Sequence, residues 1–229
     1  NLAGKAILVT GASSGIGAAT AVALGRQRAR VVLAARRVAD CEAVAEQVRA
    51  AGGEAWVTPV DVTDEASVQR CVEAAVKRFG RLDGAFNNAG ALGTGAPLHT
   101  LAAADVQAVL QANVMGIFHA MKHQIAAMLT TGGGAIVNNL SISSGVAFAG
   151  ISAYTASKHA VLGLTRAAAV EGKAMAHRVQ VSNFDAALRV VRANLAISVV
   201  PREVAQPFAQ LAPVRIVPLS DPWARRRFA

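Results

Sequence analysis

Tyr154 and Lys158 stand four residues apart in SAYTASKHA, residues 152–160, and Tyr154 is the only tyrosine in the chain. On a helix such a pair shares one face. A free phenol keeps its proton until about pH 10 and exchanges it poorly at neutral pH. A lysine ammonium one turn away favours the phenolate, which makes the phenol a usable acid or base. Taken alone, Y-x-x-x-K is common and is as readily a surface accident. Context comes from Ser141, which follows a run of strand character, GAIVNNL (134–140), just ahead of the helix that carries the pair. Open α/β sheets gather their ligands at the carboxyl ends of the strands.

A second chemistry lies near the start. VTGASSGIG places Gly11, Gly15 and Gly17 between an apolar run and a helical stretch, with Ser13, Ser14 and Ile16 among them. A pyrophosphate site needs a tight turn without Cβ atoms, close backbone approach, and free N–H groups at a helix start. The turn supplies all three, and the serines add hydroxyls. An ordinary glycine-rich loop is the bland alternative. The position in the first strand-to-helix connection favours the phosphate cradle. The segment LAARRVAD, residues 33–40, tests which dinucleotide fits. A carboxylate there would bind the ribose 2′-hydroxyl of NAD. The chain instead has Ala35, then Arg36 and Arg37. Guanidinium forks suit a 2′-phosphate, so NADP(H) is expected over NAD(H). Asp61 and Val62, in PVDVTD, fall at the next rim position, where the carboxylate would accept from an adenine amino group or form a turn. Asn88, Ala89 and Gly90, in NNAG, follow a fourth run and are open to the same two readings.

These residues need a frame that brings them to one edge. Short β-branched runs alternate with Ala-rich helical stretches: strands at 5–10, 30–35, 54–60, 82–88 and 134–140, and helices at 15–26, 39–53, 65–80, 101–129 and 152–171. Apolar runs without alternation suit strands buried on both faces. The series predicts an α/β fold, a Rossmann-like doubly wound parallel sheet in a single domain. RVQVSN (178–183) reads as a sixth strand, and residues 185–197 as a further helix.

Composition bounds the rest. The 229 residues are 53% hydrophobic and 16% charged, enough for one domain with a real core. No apolar run is long enough to span a bilayer, and NLAGKAILVTGASSGIG has no signal-peptide layout, so no membrane partner and a cytoplasmic location are expected. Cys41 and Cys71 lack metal spacing and read as reduced thiols. Five histidines are scattered; His119 and His123 share a helix face without a third ligand, so no metal is expected. The net charge is +9, of which +5 falls in residues 178–229. Without aromatic interleaving or a nucleic-acid motif, no nucleic-acid partner is expected.

In order and spacing, TGASSGIG, NNAG, Asn113 in ANVMG, Ser141 and YTASK resemble the short-chain dehydrogenase/reductase family over roughly residues 3–172. Each motif is weak alone and specific in combination. The resemblance implies a Rossmann fold, NAD(P), a small carbonyl or alcohol substrate, and a homo-oligomer, tetramer or dimer, built on two long helices. It implies that Tyr154 exchanges the proton, Lys158 tunes it and holds the nicotinamide ribose, Ser141 orients the substrate oxygen, and Asn113 holds a relay water. Ser143 and Ser144 are near alternatives to Ser141. The activity expected is hydride transfer between nicotinamide and a carbonyl or secondary alcohol. A catalytically weak dinucleotide-binding or scaffold protein of the same fold is the alternative.

Two departures stand against the resemblance. Arg28 occupies a helix stop where glycine is usual, at a cost of about 1 kcal/mol if its backbone is left-handed. The second is larger. All 20 glycines lie before residue 173, and five of the seven prolines lie after residue 200. No Pro-Gly turn follows RVQVSN. The reading is therefore a dinucleotide-binding and catalytic domain over 1–183. An atypical segment over 184–229 replaces the usual substrate loop and last strand, with a composition shift of the kind a change of reading frame produces; a true variant whose tail closes the site differently is the alternative.

Overall fold

The computed structural model describes residues 2–171. Within them, five parallel strands lie in the order β3-β2-β1-β4-β5. They are β1 (Ala6–Thr10), β2 (Arg30–Ala35), β3 (Glu54–Pro59), β4 (Gly84–Asn87) and β5 (Ala135–Asn138). Helices α1 (Gly15–Arg26), α2 (Val38–Ala50), α3 (Glu65–Phe79), α4 (Ala103–Leu110), α5 (Gly116–Leu129) and α6 (Ser152–Glu171) connect or follow them. This is the Rossmann-like doubly wound fold that the alternating pattern predicts. The segments at 178–183 and 185–197 lie outside the described residues.

β1 is buried at every position because both faces of the sheet are covered. Ile7 and Val9 join Val31 and Leu33 in the cluster that takes up Ala21, Val44 and Val48 of α1 and α2. Ala6 and Leu8 turn the other way, into the cluster that holds Val68, Val72 and Phe79 of α3. That period of two within a wholly apolar run is what a central parallel strand requires. Between β1 and β4 the winding reverses, and the ends of these two strands form the crevice where open sheets bind ligands.

Three local details follow from sequence chemistry. Asp64 caps α3 by accepting from Ala66 N–H at 3.0 Å, and Gly80 ends it in the left-handed region at φ 76°. At the end of α1, Arg28 N–H donates to Gly25 at 2.8 Å and Ala29 N–H to Leu24 at 3.2 Å, the paired bonds of a Schellman stop. That motif forces Arg28 to φ 57°, where a Cβ meets the carbonyl oxygen. The Arg28→Gly variant should therefore gain about 0.5–1 kcal/mol, read as a higher urea midpoint at unchanged slope.

One element differs from expectation. The stretch read as a single helix over 101–129 contains a π turn, Gln111–Met115, between α4 and α5. The cause is side-chain chemistry that periodicity does not see. Asn113 sits in the widened turn at 1% exposure, with its amide tied to another segment.

Candidate functional site

The glycine turn closes against the end of β4. A Cβ on Gly17 would lie 2.2 Å from the Gly11 carbonyl oxygen, and one on Gly11 would lie 2.9 Å from Ala89 Cα. Only glycine permits this approach, and Gly11 and Gly15 are left-handed at φ 66° and 57°. Asn88 stitches the two segments together. Its side-chain N–H₂ donates to the carbonyls of Thr10 and Gly11, both at 3.3 Å, and its backbone N–H to Thr10 Oγ1 at 3.0 Å. Ala89 N–H donates to the same hydroxyl at 3.2 Å. Ser14 is the N-cap of α1, yet its side chain makes no capping bond, so no capping side chain competes for the helix's leading N–H groups. An uncapped helix start behind a glycine turn is what a pyrophosphate needs. The residues present fit a dinucleotide on that ground.

Around this turn stand the two arginines. Arg37 donates through Nη2 to Ser13 Oγ at 3.1 Å and Ser14 Oγ at 3.0 Å, and its Nε pairs with Asp40 at 2.9 Å. The serine hydroxyls, read from sequence as donors to a phosphate, here accept from Arg37. Arg36 lines an open groove of about 550 Å³ with Val60, Asp61, Ser67 and Arg70. Asp61 serves as a turn former: one carboxylate oxygen accepts from Thr63 Oγ1 at 2.7 Å and Thr63 N–H at 3.0 Å. Those two bonds, with the Arg36 charge, hold its carboxyl below the usual range. Val62 packs on Gly116, and its carbonyl meets His119 Nδ1 at 3.2 Å. The second histidine of that pair, His123, meets Glu65 at 3.1 Å. Among the described residues no group of three or more His, Cys, Asp or Glu converges as a metal site. Cys41 and Cys71 are both buried and unpaired, and burial pushes the Cys71 thiol up to about 12.

On the other side of the switch point, α6 carries Tyr154 and Lys158. Tyr154 is half-buried, Lys158 is 7% exposed, and the ammonium lies 5.5 Å from the phenol ring centre. Burial lowers the Lys158 ammonium from its ordinary 10.5 to about 8. Its Nζ donates to the Asn139 carbonyl at 2.7 Å. Asn113 contributes nearly a full set of amide bonds. Its Oδ1 accepts from Ala91 N–H at 2.7 Å, and its Nδ2 donates to Ala91 O at 2.8 Å and Ser157 Oγ at 2.9 Å. Ser157 in turn donates to the Tyr154 carbonyl at 2.7 Å. The π turn is thus pinned between the loop after β4 and α6.

Ser141 caps a single 3₁₀ turn, Ile142–Ser144, that packs against α6. Its Oγ accepts from Ser143 N–H at 3.2 Å, while Ser144 Oγ accepts from Ser141 N–H at 3.2 Å. Ser143 and Ser144 are 2% and 7% exposed and serve the turn. Ser141 is only partly buried and keeps its hydroxyl proton free of the capping bond. Sequence reading had no role for Thr10, Asn139, Ser157 or the fully buried Gln124. Ser157 and Asn139 each adjoin a residue already singled out, or a second asparagine, and that was the only available signal.

A parallel sheet with a glycine turn at its switch point defines the class, a Rossmann-like dinucleotide-binding fold. The chain belongs to the short-chain dehydrogenase/reductase family: the family model described as short chain dehydrogenase matches residues 5–194. It is similar to the cyclohexanol dehydrogenase of Acinetobacter sp. (strain SE19), 39% identical over 167 residues, which are 73% of this chain and 66% of that protein. Among solved structures it is similar to an NAD+-bound xylitol dehydrogenase, with TM-score 0.73 and 37% identity over 75% of this chain and 66% of that one. It is also similar to an alcohol dehydrogenase from the archaeon Thermococcus sibiricus in complex with 5-hydroxy-NADP, with TM-score 0.71 and 30% identity over 75% and 72%. The chain thus spans about two thirds of the length of the cyclohexanol and xylitol dehydrogenases. Among the described residues no helix is long and apolar enough to cross a membrane.

Proposed function

We propose that the chain is an NADP(H)-dependent oxidoreductase that interconverts a carbonyl and a secondary alcohol, with Tyr154 as general acid/base. The observation that carries this reading is the buried Lys158 ammonium beside the Tyr154 ring, on a fold whose switch point holds an uncapped glycine turn. When bound, the nicotinamide supplies or accepts the hydride. Gly11, Gly15, Ile16 and Gly17 hold the pyrophosphate, and Asp61, Val62, Asn88, Ala89 and Gly90 line the adenine and ribose side. Lys158 holds a ribose hydroxyl and favours the phenolate of Tyr154. The Ser141 and Tyr154 hydroxyls donate to the substrate oxygen, where negative charge develops during reduction. Tyr154 then gives up its proton to that oxygen. Asn113 fixes the π turn, and a π turn releases a backbone carbonyl from the helical ladder where a relay water is held.

The cofactor preference rests on this chain's own residues, since one similar structure holds NAD+ and another an NADP derivative. Arg36 and Arg37 offer two guanidiniums, and β2 ends on Ala35 rather than on a carboxylate. NADPH should bind about tenfold or more tightly than NADH in parallel fluorescence titrations, the worth of one charge-assisted bond. Tighter NADH would overturn the preference. Binding of neither would favour the second reading, a fold kept without the chemistry, which the missing Pro-Gly turn motivates.

The rim supports an uncharged substrate. Residues 89–104 and 140–157 hold no Lys, Arg, Asp or Glu, and they expose Leu92, Ile142, Val146 and Phe148. Such a wall favours a small apolar carbonyl compound over one bearing a carboxylate or phosphate. Exposed Phe118 and Leu129 on α5 support a homo-oligomer through that helix, and two reduced thiols suit the cytoplasm.

A further inference from the structure

An unbroken run of hydrogen bonds joins the glycine turn to the ammonium of Lys158, and Asn139 is its middle link. The Asn139 backbone carbonyl accepts the Lys158 ammonium at 2.7 Å. The Asn139 side chain donates to Asn88 Oδ1 at 2.9 Å. Asn88 Nδ2 then faces the Thr10 and Gly11 carbonyls at 3.3 Å. The orientation of the Asn88 amide is fixed by chemistry: the end facing two carbonyls must be the donor, so the oxygen faces Asn139. Asn139 N–H also donates to the Asn87 carbonyl at 2.8 Å, which locks the end of β5 to the end of β4. One residue therefore grips the lysine with its main chain and the dinucleotide turn with its side chain.

We infer that Asn139 is a positioning residue that sets the spacing between the dinucleotide turn and the Lys158 ammonium. The inference rests on the proposed dinucleotide site. Any residue at 139 keeps the carbonyl that receives Lys158. Only a donor of this length also holds Asn88, and Asn88 in turn holds the Gly11 carbonyl against which Gly17 packs. Without the donor, the Asn88 amide is free to rotate away from the turn. The turn and the lysine, the two ends of one bound cofactor, then lose their common reference.

The test is a double-mutant cycle read by NADPH titration, with thermal unfolding measured alongside. Asn139→Ala should weaken NADPH binding by up to about tenfold, the upper end of what one partly buried hydrogen bond is worth, although Asn139 itself touches no cofactor. In the Asn88→Ala background the same change should add almost nothing, because the link is already cut. Asn139→Asp, which keeps the volume and removes the donor, should match Asn139→Ala and serves if the alanine variant does not fold. Wild-type affinity in both Asn139 variants, whatever their melting temperature, would overturn the inference alone, as would additive effects in the cycle. Failure of the unmodified chain to bind either dinucleotide would overturn the proposed function and this inference with it.

Discussion

Replacing Tyr154 by phenylalanine should lower kcat by a factor of about 10²–10⁴, the usual worth of a positioned acid or base. NADPH affinity should change by no more than about twofold, because the variant keeps the ring and loses only the hydroxyl. The argument depends on what Tyr154 does not do. Its carbonyl accepts from Ser157, and its ring lies against the Lys158 ammonium at 5.5 Å; both contacts survive in phenylalanine. Half-exposed and at the start of α6, the side chain is no part of the buried core clusters. Stability should therefore be nearly unaffected, and lost turnover cannot be put down to misfolding. Single-turnover reduction of a small cyclic ketone with NADPH is the direct readout. Retention of most of the rate would remove Tyr154 from the proton transfer and leave Ser141 as the remaining hydroxyl donor at the proposed site.

The fold was legible because its signals are local. A short apolar run puts β2 at 30–35, and an Ala-rich stretch opening on the glycine turn puts α1 at 15–26, where the structure has them. Arg28 was readable too, since a Schellman stop has one left-handed position and the sequence put a Cβ there. What stayed hidden depends on partners far apart in the chain. In sequence, Asn87 and Asn88 close the fourth strand run, and NNAG is open to a turn or a cofactor contact. In the structure, Asn87 exchanges two bonds with Gln124, at 2.9 and 2.8 Å, and donates to Asn138 at 3.0 Å. Asn138 passes the chain on to Thr165 at 2.9 Å. These pairs are 27 to 51 residues apart, so no window of sequence contains them. The π turn was hidden for a related reason. In an Ala- and Val-rich helix one extra residue per turn barely disturbs the periodicity. The force that widens it, Asn113 on the Ala91 backbone, comes from another strand end.

Lys158→Met should abolish most activity and, at neutral pH, make the protein more stable. Lys158 is 7% exposed, and burial lowers its ammonium to about 8 from 10.5. Below pH 8 folded and unfolded chains both hold the proton, and the folded chain carries the full desolvation cost. Between about 8 and 10.5 the folded chain releases the proton first. The unfolded chain then binds more protons, so wild-type stability rises with pH across that window. Above it both forms are neutral and the cost is gone. A shift of this size corresponds to roughly 3 kcal/mol at most. Methionine fills a similar volume without the charge, but it strands the Asn139 carbonyl, which returns about 1 kcal/mol. The expected net gain is about 1–2 kcal/mol near pH 7, shrinking to zero or below by about pH 10. Urea unfolding of both proteins at the two pH values isolates the effect, since every other titrating group cancels in the difference. The same variant should lose about 10²-fold or more in kcat and bind NADPH more weakly, through the lost hold on the ribose. A methionine variant less stable than wild type at pH 7 would mean that the ammonium is compensated in its pocket and the burial argument fails. The expected pattern, stability gained where chemistry is lost, is what separates a lysine retained for function from one retained for folding.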